Sequence, residues 1–362
     1  MDKKKRVLIT GAAGYIGSML VSVLAARDDI DKILAIDKDE QTDITKGYGD
    51  KVLYLQANIA SANWDIIADS IKPDVIIHTA WQIREIYGNR NLSWIYNIVA
   101  SDKVFAFAFS HTYVKRLIHF STVASYGAFA NNTKEYKYKE EDKLRETDYL
   151  YAEEKRICEE HLKEKCDSIG ISEDHTSNEY KHKPMVMVLR PASITGPRLR
   201  NDINKFSLQS ALSGSLKRQK GILNKIVASM TSFMPSTRNW LRQYIHEDDV
   251  IDIVMMLALD DKVNDQYEIY NICPDGPVVL GHDMAKALNK KKININPQII
   301  RIIFAAFWHF TRGRVPTSSG VWSGYSYPIA VDGNKITNRY GYKYKYESLN
   351  ALKEEKGRYL KY

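Results

Sequence analysis

Tyr151 and Lys155 stand four residues apart in the stretch Tyr-Ala-Glu-Glu-Lys, and at helical spacing their side chains share one face. A phenol beside an ammonium can exchange a proton near neutral pH, because the positive charge favours the phenolate and lowers its pKa. Taken alone, the spacing equally fits a surface pair near a helix start. Its position selects the chemistry: the preceding apolar run Leu117-Ile118-His119-Phe120 ends in Ser121-Thr122, a hydroxyl that can hydrogen-bond a reacting alcohol. A second chemical set opens the chain. Gly11-Ala12-Ala13-Gly14-Tyr15-Ile16-Gly17 follows the apolar run Val7-Leu8-Ile9. A glycine turn between strand and helix lets backbone N–H groups approach a pyrophosphate, with the helix N-terminus beneath it. Twenty residues after Gly17, the run Ile33-Leu34-Ala35-Ile36 ends in Asp37. A carboxylate at that point can accept hydrogen bonds from an adenosine ribose and repel the extra phosphate of NADP. Strand, glycine turn, helix, strand and acid in that order read as a dinucleotide site that prefers NAD.

The elements that must position these groups alternate as a parallel sheet with crossover helices requires. Val7 to Ile9, Ile33 to Ile36, Val52 to Gln56, Val75 to Ala80, Leu117 to Ser121 and Met185 to Arg190 read as six strands. Helical patterns occupy Ile16 to Ala26, Ser93 to Ser110 and Asp148 to Cys166, and the polar stretch Asp167 to Lys183 reads as a surface loop. The expected fold is α/β, a Rossmann-type doubly wound parallel sheet over residues 1–197. A smaller, mostly helical C-terminal substrate domain is expected over 198–362, with some segments returning to the core. Ligands of such sheets bind outside the carboxyl ends of the strands, which singles out Ala80-Trp81, Thr122 and Pro191 to Pro197.

Composition bounds the reading. Of 362 residues, 44% are hydrophobic and 27% charged, which describes a globular chain able to bury a large core. The net charge of +8 includes Lys-rich segments such as Lys134 to Lys143, where acids are interleaved. That pattern fits a solvated face rather than nucleic-acid binding, and the basic balance favours an anionic substrate. Three cysteines give no disulfide framework and fit a reducing cytoplasm. The first strand begins within a few residues of Met1, leaving no room for a signal peptide, so the expected location is cytoplasmic. Ile299 to Phe310, interrupted by Arg301 and His309, is too short to span a bilayer. Its length favours a partly buried helix; the alternatives are a cover for a lipophilic pocket or a segment resting on a membrane surface. Cys158, His161 and Cys166 lack a second ligand pair, so no metal site is expected. No G-x-S-x-G elbow supports a serine hydrolase. His78 and His119 sit on buried strands as core residues, and Asp248-Asp249 suit a helix N-terminus.

These residues, with Asn58-Ile59, His78-Thr79-Ala80, Asn97, Ser121 to Gly127, Arg190 to Pro197 and Arg242-Gln243-Tyr244-Ile245-His246, resemble an extended short-chain dehydrogenase/reductase of the NAD-dependent epimerase/dehydratase family. The similarity is strong to about Pro197 and patchy to about Gly341. The resemblance implies Tyr151 as the catalytic acid/base, Lys155 on the nicotinamide ribose and Thr122 on the reacting oxygen. It implies an NAD site formed by Gly11, Gly14, Tyr15, Ile16, Gly17, Asp37, Asn58, Ile59, Thr79, Ala80, Trp81, Asn97 and Pro191 together with Tyr151 and Lys155. Asn58 stands where the family usually has Asp, keeping an acceptor without the charge. Ser193 stands where many members have an Asn that contacts the substrate diphosphate. Arg242 matches an Arg expected on an anionic part of the substrate. Trp81 replaces a small residue and is either an aromatic wall for the substrate or packing. The aromatic stretch 304–327 matches no sugar-nucleotide motif and could line a pocket for a less polar substrate. Related dehydratases carry Asp-Glu directly after the catalytic Thr; here those positions are Val123 and Ala124, which cannot exchange protons.

The resulting expectation is an NAD-dependent epimerase of a nucleotide-linked sugar, acting through a transient keto intermediate. It would take a small anionic substrate and could pair as a homodimer. One alternative is a dehydrogenase or reductase of a lipophilic, sterol-like alcohol or ketone. The other is a non-catalytic dinucleotide-sensing regulator, which would have no need of the Tyr151, Lys155 and Thr122 set.

Overall fold

The computed structural model describes residues 4–169, 182–201, 233–264 and 266–359. Strands β1 (Lys5–Thr10), β2 (Ile30–Asp37), β3 (Val52–Gln56), β4 (Val75–His78), β5 (Arg116–Phe120) and β6 (Met185–Pro191) form one parallel sheet. A seventh strand, Tyr267–Ile272, joins in parallel beside β6. The order across the sheet is seventh strand, β6, β5, β4, β1, β2, β3. Successive strand residues point to opposite faces. Val7 and Ile9 therefore join the core beneath the Tyr15–Ala25 helix, while Leu8 joins the opposite core with Val104, Phe105, Phe109 and Leu162. Burial on both faces is why the strands read as continuous apolar runs.

The expected elements recur with small shifts. The fourth strand ends at His78 rather than Ala80, because Thr79 and Ala80 leave the ladder to pass over the glycine turn. The helix expected from Ser93 is Arg90–Ser110, interrupted by a π-helical turn at Ile95–Val99 that contains Asn97. The helix carrying Tyr151 and Lys155 runs Leu150–Ser168. Most of the expected loop at Asp167 to Lys183 lies outside the described residues. C-terminal to β6 come helices Glu247–Leu259, Gly281–Ala287, Pro297–Phe310, Asn334–Tyr340 and Ser348–Lys353, with short two-stranded pairings between them. Glu247, Asp248 and Asp249 open the first of these helices, where acids complement the helix dipole.

The Leu150–Ser168 helix is tied to the sheet by a charge pair. Glu159 takes Arg190 Nη2 at 2.6 Å and Nε at 3.0 Å, and also accepts the Ser121 hydroxyl. Arg190 Nη1 donates to the Tyr126 hydroxyl at 2.8 Å. Both side chains are about 95% buried, at 4% and 5% exposure. Removing one partner strands a charge in the core, which costs roughly 3–5 kcal/mol. Glu159→Ala should therefore lower the unfolding free energy by about 3 kcal/mol in urea titrations. The double replacement Glu159→Leu with Arg190→Met should cost less than Glu159→Ala alone. A double variant less stable than the single would show that the pair is not what seats the helix.

Candidate active site

At the carboxyl ends of β1 and β4 the backbone is packed as closely as it can be. Gly11 has φ +74°, and a Cβ there would lie 2.6 Å from the Ala80 nitrogen. A Cβ on Gly17 would lie 2.0 Å from the Gly11 carbonyl oxygen. No side chain fits at either place, so the turn presents bare backbone beneath the N-terminus of the Tyr15–Ala25 helix. Asp37 at the tip of β2 accepts the Ala13 N–H at 2.9 Å and the Asp39 N–H at 3.0 Å. Its carboxylate thus braces the turn as well as facing the pocket. Together these features fit a dinucleotide: a cradle that a Cβ would fill, helix N–H groups, and an acid at the tip of the neighbouring strand.

This turn opens into a cavity of about 850 Å³ that runs along the carboxyl ends of β1 to β6. Gly11, Gly14, Tyr15, Ile16, Gly17, Asp37, Asn58, Ile59, Thr79, Ala80, Trp81, Thr122, Tyr151, Lys155, Pro191, Ser193 and Arg242 all line it. Asn97 alone among the expected site residues stands one layer back. It is buried in the π-helical turn, accepts the Gln82 N–H at 2.7 Å and donates to Glu154 at 2.6 Å. Burial pushes the Glu154 carboxyl up to about 7 against that hydrogen bond.

At the centre, the Tyr151 hydroxyl is hydrogen-bonded to Thr122, whose side chain also caps the Ala124 N–H at 3.2 Å. The expectation that Lys155 lowers the Tyr151 pKa is not met. Burial raises the phenol, with only the Thr122 hydrogen bond opposing. The reason is direction: Lys155 Nζ donates to the Phe120 carbonyl and sits 3.5 Å from the centre of the Trp81 ring. Trp81 is accordingly both a wall of the cavity and the packing surface for Lys155. Burial brings Lys155 itself down to about 7. His78 and His119 are core residues. His78 bridges Thr10 at 2.6 Å and Ser101 at 2.8 Å, and burial lowers it to about 3. His119 stacks on it with ring centres 5.5 Å apart.

The opposite wall comes from the C-terminal half. Arg242 donates to the Gly324 carbonyl at 2.9 Å, with its guanidinium 5.0 Å from the Tyr325 ring and 5.6 Å from the Trp240 ring. Trp308, Val321, Tyr325 and Tyr327, from the aromatic stretch 304–327, line the same cavity. Two contributors escaped the sequence reading. Glu146 accepts three successive backbone N–H groups, of Thr147, Asp148 and Tyr149, at 2.9–3.0 Å, fixing the approach to the catalytic helix. Tyr149 stacks obliquely on Tyr151 at 5.5 Å and faces Tyr325 and Arg242. Elsewhere, Cys158 and Cys166 are buried and His161 rests on Asp102 at 3.1 Å.

A cation sealed in the core costs stability wherever the unfolded chain keeps it charged. For Lys155 that cost is complete below about pH 7 and fades as pH rises toward the ordinary lysine value of 10.5. Lys155→Met should therefore raise Tm of the cofactor-free protein at pH 6, with the gain shrinking toward pH 10. A gain that grows with pH would contradict this assignment.

Solved structures share this architecture. The structure of the Bordetella bronchiseptica enzyme WbmG in complex with NAD superposes with TM-score 0.66 at 18% identity, covering 97% of this chain and 92% of that one. The Thermus thermophilus UDP-glucose 4-epimerase complex with NAD gives TM-score 0.65 at 17% identity, with 96% of each chain covered. An uncharacterized protein of Methanocaldococcus jannaschii is 24% identical over 310 residues, 80% of this chain and 82% of that one. The NAD dependent epimerase/dehydratase family matches residues 7–273. The chain is thus an NAD-dependent enzyme of the Rossmann type, and it belongs to the NAD dependent epimerase/dehydratase family.

Proposed function

We propose that the enzyme epimerises a nucleotide-linked sugar by transient oxidation of one ring hydroxyl. The observation that carries this reading is a single cavity. Its wall holds the glycine turn at one end, Tyr151 with Thr122 in the middle and Arg242 at the other end. The glycine turn and Asp37 would hold the pyrophosphate and adenosine ribose of NAD. Asn58 and Ile59 would flank its adenine. Thr79, Ala80, Trp81 and Pro191 would border the nicotinamide half, Lys155 would hold its ribose, and Asn97 would steady that side from behind. When bound, the cofactor supplies a reversible hydride acceptor. Thr122 would orient the substrate hydroxyl while Tyr151 takes its proton and later returns it. The phenol rests protonated in its buried setting, so positive charge brought beside it is what would make it a base. Arg242, held by two rings and a carbonyl, would present its remaining N–H donors to a diphosphate, with Ser193 adding one hydroxyl.

Among the described residues, the acids on the cavity wall are Asp37, Asp39, Glu85 and Glu146. The first two sit at the tip of β2, Glu85 pairs with Arg90 at 3.0 Å, and Glu146 holds backbone N–H groups. None follows Thr122, where Val123 and Ala124 stand, and this favours epimerisation over dehydration. The aromatic wall favours a second reading, oxidation of a lipophilic alcohol.

Tyr151→Phe should reduce turnover by about a hundred- to ten-thousand-fold and leave NAD binding nearly intact. Incubation with NAD and UDP-, GDP- and dTDP-sugars should yield an isomer of unchanged mass. Loss of one water would replace epimerisation by dehydration. Arg242→Ala should raise KM for the nucleotide sugar without altering NAD affinity, whereas turnover of a neutral lipid alcohol would be insensitive to it.

A further inference from the structure

We propose that the Pro297–Phe310 helix docks this enzyme on an anionic lipid surface. Of its fourteen residues only Ile300 and Trp308 are buried. Phe310 is 85% exposed, Ile302 68% and Ile299 51%. At 3.6 residues per turn, Ile299, Ile302, Ala306 and Phe310 fall within an arc of roughly 80°. That arc points away from Trp308, which lies against Tyr87 with ring centres 5.4 Å apart and fixes the inner face to the body of the protein. The helix therefore has two apolar faces, and the protein uses one.

Charge identifies the occupant of the other. Between Asp283 and Asp332 the chain has no acidic residue, while Lys286, Lys290 to Lys292, Arg301, Arg312 and Arg314 supply seven positive charges. The whole chain carries +8, so everything outside this segment nets +1. Arg301, Arg312 and Arg314 are exposed and form no ion pair among the described residues. Both of the latter lie in the turn that ends the helix, where the Arg312 and Arg314 N–H groups bond His309 and Thr311 carbonyls. Arg301 itself lies on the Trp308 side, over the Trp322 ring at 5.6 Å, so the charge belongs to the segment that carries the stripe. Exposed large apolar side chains in a segment with seven cations and no acid are the composition of a helix lying in the headgroup layer of an anionic bilayer. No described helix is long and apolar enough to cross a membrane, so the contact is with the surface. Through Trp308 the same helix reaches the wall of the active-site cavity.

Flotation with vesicles tests this. The full-length protein should float with phosphatidylcholine vesicles containing 30% phosphatidylglycerol and not with pure phosphatidylcholine, and 0.5 M NaCl should weaken the association; these compositions are chosen as about physiological in surface charge. Ile302→Asp with Phe310→Asp, at exposed positions, should lower vesicle binding at least about tenfold with far-UV circular dichroism and Tm unchanged. Arg312→Gln with Arg314→Gln should weaken the preference for phosphatidylglycerol at least about tenfold. Three results would overturn the proposal: no flotation with either vesicle, flotation unaffected by the aspartates, or a dimer in sedimentation velocity that the aspartates dissolve while vesicle binding is absent. The last would assign the face to a second copy of the chain.

Discussion

The Arg190–Glu159 pair is the constraint on which the active-site geometry rests. Through Ser121, directly after β5, and Arg190 of β6 it ties both strands to the Leu150–Ser168 helix by directional bonds, alongside the bond from Lys155 to the Phe120 carbonyl. Apolar packing tolerates sliding along a helix axis; a two-pronged guanidinium–carboxylate contact does not. One helical turn from Glu159 lies Lys155, and one further turn lies Tyr151. Fixing Glu159 against the sheet therefore sets the height at which the phenol meets Thr122. The same pair reaches Tyr126, whose hydroxyl also bonds the Asn271 side chain of the seventh strand at 2.9 Å. A single charged contact thus connects the catalytic helix to a strand more than a hundred residues later in the chain.

At the other end of the cavity the constraint is steric. Gly11, Gly17 and Ala80 bring three backbone segments together at distances that exclude side chains. The outcome is a helix N-terminus that meets the pocket across backbone, with no side chain at Gly11 or Gly17. Gly320 repeats the device on the far wall, where φ is +77° and a Cβ would lie 2.3 Å from the Tyr149 nitrogen. That contact lays the aromatic segment across the entry to the catalytic helix, and Ser319 strengthens it with a 2.7 Å bond to Asp148. Both walls of the cavity therefore depend on backbone approaching backbone.

What the sequence made legible follows from these differences. Strands buried on both faces leave unbroken apolar runs, so six of the seven were readable. The seventh, Tyr267–Ile272, alternates apolar residues with Glu268 and Asn271, and the bonds that make a buried Asn271 acceptable come from Tyr126 and the Tyr138 carbonyl, far away in sequence. The glycine turn and Asp37 were readable because their function is local. The state of the Tyr151–Lys155 pair was not. Spacing puts the two on one face, but the pKa of the phenol depends on where the ammonium points, and that is decided by the Phe120 carbonyl and the Trp81 ring. Glu146 was invisible for a related reason, since its partners are backbone groups that carry no sequence signal.

The distribution of strain and charge separates what the fold shares from what is particular to this enzyme. The half that holds the cofactor is built from backbone geometry and permits little variation. Beyond the Gly320 contact, the half facing the substrate is lined by side chains: Trp240 and Tyr325 lie beside the Arg242 guanidinium, and Tyr149 lies against the Tyr151 ring. Such contacts can be exchanged without moving the backbone, which is how one fold serves many substrates. An arginine stacked between rings also keeps its orientation without an acidic partner, so its charge stays available to an incoming anion. Within the aromatic stretch that suggests a lipophilic substrate by composition, Tyr325 serves to aim this cation. An aromatic wall and an anion-binding site are therefore compatible in one cavity.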